Sequence, residues 1–125
     1  MFAKSTVAIT DHSHLHLSFG GFGSSWNASG QIPERAVSDG SISRFGSIDN
    51  SEGGTTQRNN FNVVYHTQIE ATEFETQVYS CDYNFKLFSN FTFYLDDPVN
   101  GDEIEQVDER TIKGLNAHYS FAQRH

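Results

Sequence analysis

The sequence predicts an all-β chain, an antiparallel meander of about four long strands in two hairpins with long outer loops, forming part of a larger transmembrane β-barrel. Three observations carry this. Apolar and polar residues alternate with a period of two in four separate segments, while helical periodicity is weak throughout. The connections between the segments run long, short, long. Aromatic residues reach 14% and Phe alone contributes 11, although only 36% of the chain is hydrophobic, below the roughly 45–50% of an ordinary globular chain. Many aromatics with few aliphatics point to sheets that are polar on one side.

The first segment places Val7, Ile9, Leu15, Leu17 and Phe19 at odd positions, against Thr6, Thr10, His12, His14, His16 and Ser18. Asp11 and Ser13 interrupt its apolar row. A Gly- and Ser-rich loop follows, from about Gly20 to Gly54. The second segment sets Phe61, Val63, Tyr65 and Ile69 against Arg58, Asn60, Asn62, His66 and Gln68. After a short turn near Glu70-Ala71-Thr72, the third sets Tyr79, Cys81, Tyr83, Phe85, Leu87, Phe91, Phe93 and Leu95 against Ser80, Asp82, Asn84, Lys86, Asn90 and Thr92. Ser89, Phe88 and Tyr94 break its pattern. Phe74 and Val78 have the opposite parity, which a β-bulge near Val78 reconciles. One strand over residues 72–96 is expected, about 80 Å long at roughly 3.3 Å per residue. A polar loop around Asp97-Pro98-Val99-Asn100-Gly101-Asp102 leads to the fourth segment, with Leu115, Ala117, Tyr119 and Phe121 against Gly114, Asn116, His118 and Ser120.

Charge and composition exclude several classes. A net charge of −8 argues against nucleic acid, whose binders present basic patches to phosphates. Acids crowd into Asp96-Asp97 and the stretch from Asp102 to Glu109, as solvated loops do. Cys81 is the one cysteine, so neither an internal disulfide nor a cysteine-based zinc site is expected. The opening Met1-Phe2-Ala3-Lys4-Ser5-Thr6 lacks the apolar core of a secretory signal. No apolar run approaches the roughly 18 residues of a membrane helix, but a barrel strand needs only about 9–11 alternating ones. Apolar aromatics toward lipid and Asn, Ser, Thr, Asp and Lys toward a wet lumen suit a wide barrel. Four strands make only part of its wall, because a spanning sheet must close.

Longer strings of residues narrow the reading further. Trp26-Asn27-Ala28-Ser29-Gly30-Gln31-Ile32-Pro33-Glu34-Arg35-Ala36-Val37 is followed by Arg44-Phe45-Gly46-Ser47-Ile48-Asp49 and Glu52-Gly53-Gly54-Thr55. The third segment adds Tyr83 to Leu95, then Asp97 to Asp102, Gln106, Asp108 and Arg110. In order and spacing these strings resemble a group of TonB-dependent receptors, from about residue 15 onward. The resemblance implies a plugged outer-membrane barrel of about 22 strands. Such barrels import iron chelates, cobalamin, sugars or other large nutrients with energy from the TonB system. Residues 1–125 would then be a partial barrel with no plug domain and no signal peptide, not transport-competent alone and not an enzyme. The expected partners are the remainder of the barrel and its plug, outer-membrane lipid and, only through parts outside this chain, the TonB system. No cofactor is expected.

Trp26, Arg35 and Arg44 are the candidate ligand contacts, since Arg suits carboxylates or phosphates and Trp stacks on rings. Holding the loop together is the plainer role for the same side chains. His12, His14 and His16 could be imagined around zinc. Same-face neighbours stand about 6.6–7 Å apart along a strand, however, so the expected role is a polar row facing the lumen. A small soluble all-β ligand-binding module is the alternative, and it requires a core packed from both sides of a sandwich.

Overall fold

The computed structural model describes residues 1–47, 49–91, 95–99 and 101–122. It is all-β: β1 (Phe2–Thr10), β2 (Ser13–Asn27), β3 (Gly53–Ile69), β4 (Thr72–Asn90) and β5 (Glu103–Phe121), with one short helix, α1 (Glu34–Ser38). The strands form one open antiparallel meander in the order β1-β2-β3-β4-β5.

There are five strands rather than four, because the first segment is a hairpin. Asp11 and His12 make its turn, and Thr10 Oγ1 satisfies both sides of it, meeting Ser13 Oγ at 2.7 Å and accepting the His12 backbone N–H at 3.3 Å. Short polar side chains that bond the local backbone favour such turns. The two strands pair Val7 with Leu15, Ser5 with Leu17 and Ala3 with Phe19 on one face, and Ala8 with His14 and Thr6 with His16 on the other. The register shifts between Ala8 and Thr10.

The long loop is shorter than expected, running only between Asn27 and Gly53. Gly20, Gly21 and Gly23 belong to β2; a Cβ at Gly21 would stand 3.5 Å from the Phe19 ring, so the bare backbone leaves that ring room to lie along the strand. The strand expected over 72–96 ends at Asn90, about 63 Å of extended chain at roughly 3.3 Å per residue. Leu95 lies beyond it in a bend. Phe93, with Thr92, Tyr94, Ile48 and Asn100, lies outside the described residues. The following loop is organised by acids: Asp102 Oδ2 accepts the backbone N–H groups of Asp96 and Asp97, and Asp97 accepts those of Val99 and Gly101.

The chain divides into two units. Unit 1 comprises residues 1–22, 58–83 and 110–125, and unit 2 comprises 23–57 and 84–109.

In unit 1 one face is polar and cross-linked. Gln77 Nε2 donates to Asn62 Oδ1 at 2.7 Å, and Asn116 Nδ2 donates to Gln77 Oε1 at 3.1 Å, a ladder across β3, β4 and β5. His66 Nε2 meets Glu73 Oε1 at 3.1 Å, and Thr6 Oγ1 meets His16 Nδ1 at 2.9 Å. Alternation then puts Leu15, Leu17, Phe19, Phe61, Val63, Tyr65, Phe74, Val78, Leu115, Tyr119 and Phe121 on the other face, where the Tyr65 and Phe74 rings meet at 6.5 Å between centroids, tilted by 55°. Val7, Phe61, Ile69, Val78, Leu115, Tyr119 and Phe121 are exposed.

No bulge near Val78 is needed. The contacts Ala71–Ala122, Gln77–Asn116, Tyr79–Gly114, Asp82–Thr111 and Tyr83–Arg110 advance in step along β4 and β5. The register holds and the chemistry of the faces exchanges instead. Tyr79, Cys81 and Tyr83 follow Gln77, while Ser80 and Asp82 follow Phe74 and Val78. A Cβ at Gly114 would stand 2.2 Å from the Tyr79 ring, so the glycine makes room for an aromatic side chain on the neighbouring strand.

Candidate functional site

Unit 2 contains the three residues that the sequence marks for ligand contact. Trp26 stands near the end of β2, half-buried, and its ring meets Phe85 of β4 at 6.1 Å between centroids, tilted by 33°. In the strand order β3 lies between them, and the indole crosses it at Gly54. A Cβ there would stand 2.7 Å from the Trp26 ring and 2.5 Å from the Lys86 carbonyl oxygen. One function of Trp26 is therefore packing: part of its surface is already spent on Phe85 and on the glycine backbone.

Arg35 lies on α1 and Arg44 in the turn that follows; both side chains are exposed. The helix begins after Pro33, whose φ of −67° suits the entry to a helix, and it buries Ala36. At its C-terminal end Asp39 accepts hydrogen bonds from the hydroxyl and the backbone N–H of Ser41. These bonds, with a smaller contribution from the Arg35 guanidinium, hold the Asp39 carboxyl below the usual aspartate range.

Sequence reasoning missed the buried polar group of this unit. Asp49, Glu52 and Asn90 are buried, at 8%, 4% and 1% exposure. The Asn90 backbone N–H donates to Glu52 Oε1 at 2.8 Å, and Asn90 Nδ2 donates to Asp49 Oδ2 at 3.1 Å. Asp49 Oδ1 also accepts the Ser51 backbone N–H at 3.0 Å and the Ser51 hydroxyl. The Ser47 hydroxyl donates to the Asp49 carbonyl oxygen. The Glu52 carboxylate rests against Gly30, which has a φ of +59° and where a Cβ would stand 2.2 Å from Glu52 Oε2. This position demands glycine on both counts. Ala28 donates its backbone N–H to the Glu52 carbonyl at 2.9 Å. The group ties both ends of loop 28–52 to the end of β4 and so fixes the platform from which Arg35 and Arg44 project. A sequence signal existed, because Asp49, Glu52 and Asn90 all fall within the long strings quoted from the first loop and the third segment, but nothing in those strings assigns them a role.

The histidine row belongs to unit 1 and is split by the hairpin. His12 sits in the turn, while His14 and His16 lie on β2 with their rings 6.5 Å apart and nearly parallel. His12 and His14 line a shallow cleft of about 320 Å³ with Asp11, His66, Gln68 and Glu70. Among the described residues no group of three or more His, Cys, Asp or Glu side chains is arranged to hold a metal ion.

No protein family, no curated protein and no solved structure matches the chain.

Proposed function

We propose that this chain is part of the wall of an outer-membrane barrel of the TonB-dependent receptor kind. The parent receptor imports siderophores or other large nutrients, and the isolated chain does not transport. One observation supports the reading: in unit 1 a single sheet presents an apolar face on which, among the described residues, no second layer is packed. On β3 that face runs from Phe61 to Ile69, nine residues, close to the roughly 9–11 of a transmembrane strand. Along β4 and β5 it gives way to Asp82 and Thr111, which bond each other at 2.7 Å. The opposite face carries His, Asn, Gln and Glu side chains bonded across the strands, as the wetted side of a wide barrel requires. Ala36, the one buried apolar side chain among the described residues, lies in unit 2, so unit 1 has no two-sided core of the kind a soluble sandwich needs. Lipid is the covering that this face fits, and the hydrocarbon requires further strands at the open edges.

Loop 28–52, anchored by Asp49, Glu52 and Asn90, is then an outer loop, with Arg35, Arg44 and the free part of Trp26 as its ligand contacts. Energy coupling and plugging fall to parts of the receptor outside these residues, and the chain is not an enzyme.

Flotation tests the reading. The full chain, refolded from urea with phosphatidylcholine vesicles, is spun on a sucrose gradient and its circular dichroism compared with that in buffer. Flotation that resists carbonate extraction, with a β spectrum gained only in lipid, is the expected result. A monomer with a cooperative β-sheet transition in buffer and no flotation would overturn it.

A further inference from the structure

We propose that His14 and His66 form a two-imidazole site for a divalent transition-metal ion, set across β2 and β3 in the cleft beside the hairpin turn. The site lies on the polar face of unit 1 and rests on no assumption about what covers the other face.

Register makes the pair. The Gln68 backbone N–H donates to the His12 carbonyl at 2.9 Å, and a Cβ at Gly20 or Gly21 would meet the side chain of Asn60 or Asn59. These contacts advance one for one along β2 and β3, so His14 stands directly opposite His66. Both line the same cleft of about 320 Å³. Directly opposed residues hold their Cβ atoms about 4.5–5.5 Å apart. That spacing lets two imidazoles tilt onto one ion, at the roughly 2.0–2.1 Å of a metal–nitrogen bond. The row along β2 is less suited: His14 and His16 hold their rings nearly parallel, 6.5 Å apart, and Thr6 Oγ1 engages His16 Nδ1 at 2.9 Å.

The neighbours on either side prepare the two rings differently. His66 Nε2 meets Glu73 Oε1 at 3.1 Å. An ionised carboxylate only accepts, so Nε2 carries the proton and Nδ1 keeps the lone pair that a metal takes. A carboxylate behind a ligating histidine fixes its tautomer and raises its basicity. On the other side His14 is paired with Ala8 of β1, a small side chain with nothing to bond, which leaves the His14 ring room to turn toward His66. Asp11 and Glu70 line the cleft as well, and their charge draws in a cation. Imidazole ligands suit zinc, nickel and copper, whereas magnesium and calcium prefer carboxylates, carbonyls and water. Two protein ligands leave the remaining positions to water, in keeping with the lack of a three-ligand group among the described residues.

The test uses the full, untagged chain refolded with phosphatidylcholine vesicles, with a parallel sample in buffer. Zn2+ affinity is read by competition with a chromophoric chelator, and Cu2+ coordination by nitrogen couplings in electron paramagnetic resonance. The expected result is a single saturable Zn2+ site that excess Mg2+ does not empty, and a Cu2+ spectrum with two imidazole nitrogens. Glu73→Gln should weaken Zn2+ binding by about 10–100-fold, as loss of a histidine's carboxylate partner does. His14→Ala and His66→Ala should each weaken it further, while His16→Ala and His118→Ala leave it unchanged. Zn2+ should also raise the urea midpoint of the unmutated chain, because it binds the folded form; this midpoint and the nitrogen count decide the matter if a histidine variant loses its β spectrum. No saturable site, a single coupled nitrogen, an unmoved midpoint, or a loss with His16→Ala equal to that with His66→Ala would overturn the proposal. Flotation is read in the same tubes: Zn2+ binding without flotation keeps the site and removes the wall reading, and flotation without binding does the reverse.

Discussion

The two units bury opposite kinds of group. Unit 1 is a sheet whose apolar residues are exposed in a band, from Val7 through Phe61 and Val78 to Leu115 and Phe121, while its polar residues bond each other across strands. Unit 2 exposes Phe45, Leu95 and Val99 in its loops and buries Asp49, Glu52 and Asn90. Water explains the second arrangement, since buried polar groups persist where each finds a partner. It does not explain the first, because a large exposed apolar patch on one sheet marks a surface that something covers. The contrast teaches that the two units handle apolar surface in opposite ways, which on the proposed reading reflects two different solvents, and the predictions below set equivalent changes in the two against each other.

The largest difference comes from a charge on the apolar band. Leu115→Arg should weaken vesicle insertion by about 2–4 kcal/mol, the cost of an arginine near the bilayer midplane, which is roughly 30- to 700-fold in partitioning. Val107→Arg, on the same strand in unit 2 and also exposed, should change it by less than about 0.5 kcal/mol, as surface substitutions do. Flotation of both variants against the parent chain measures the pair; equal effects would erase the distinction between the units.

Next in size is the loop anchor. Asn90→Ala removes the side-chain donor to the buried Asp49 carboxylate, at a cost of about 1–3 kcal/mol. Limited proteolysis should show faster cutting within residues 28–52 while cutting of β1 and the hairpin turn stays unchanged. Glycine substitutions discriminate more finely. Gly54→Ala drives a methyl group against the Lys86 carbonyl and the Trp26 ring and should cost about 1–3 kcal/mol. The emission of Trp26, the only tryptophan, reports it directly. Gly114→Ala meets the far end of the Tyr79 ring, which can swing aside, so about 0.5–1.5 kcal/mol is expected from the displaced rotamer.

The smallest effect is a pH dependence confined to the end of α1. Asp39 has its carboxyl pKa lowered in the folded chain, so its hydrogen bonds add stability above the unfolded pKa and lose it as pH falls through the folded one. The Ser41 amide resonance should therefore move with a midpoint below the usual aspartate range, and Asp39→Asn should abolish the movement.

Much of the fold could be read from alternation, and the misses have physical causes. The rows at Phe61, Val63 and Tyr65 and at Leu115, Ala117, Tyr119 and Phe121 lie on β3 and β5 as their parity implies. The hairpin at Asp11-His12 escaped because a tight turn reverses direction yet keeps paired residues on one face. Val7 and Leu15 therefore share a parity whether or not the chain turns between them. The glycines at the end of β2 read as loop because period and propensity carry no information about a ring lying over bare backbone. Trp26, Arg35 and Arg44 were legible by chemical type alone. The Asp49, Glu52 and Asn90 group was not, since its bonds join residues 38 and 41 positions apart and acids in a Gly- and Ser-rich loop look solvated.

The central claim is that lipid covers the apolar face of unit 1. Nitroxide labels at Leu115→Cys and Val107→Cys, in the Cys81→Ser chain refolded with vesicles, test it by their collision rates with oxygen and with a water-soluble nickel chelate. Oxygen-rich, nickel-poor relaxation at position 115 with the reverse at 107 is the predicted result. Nickel access at 115 equal to that at 107 would place the face in water and contradict the account.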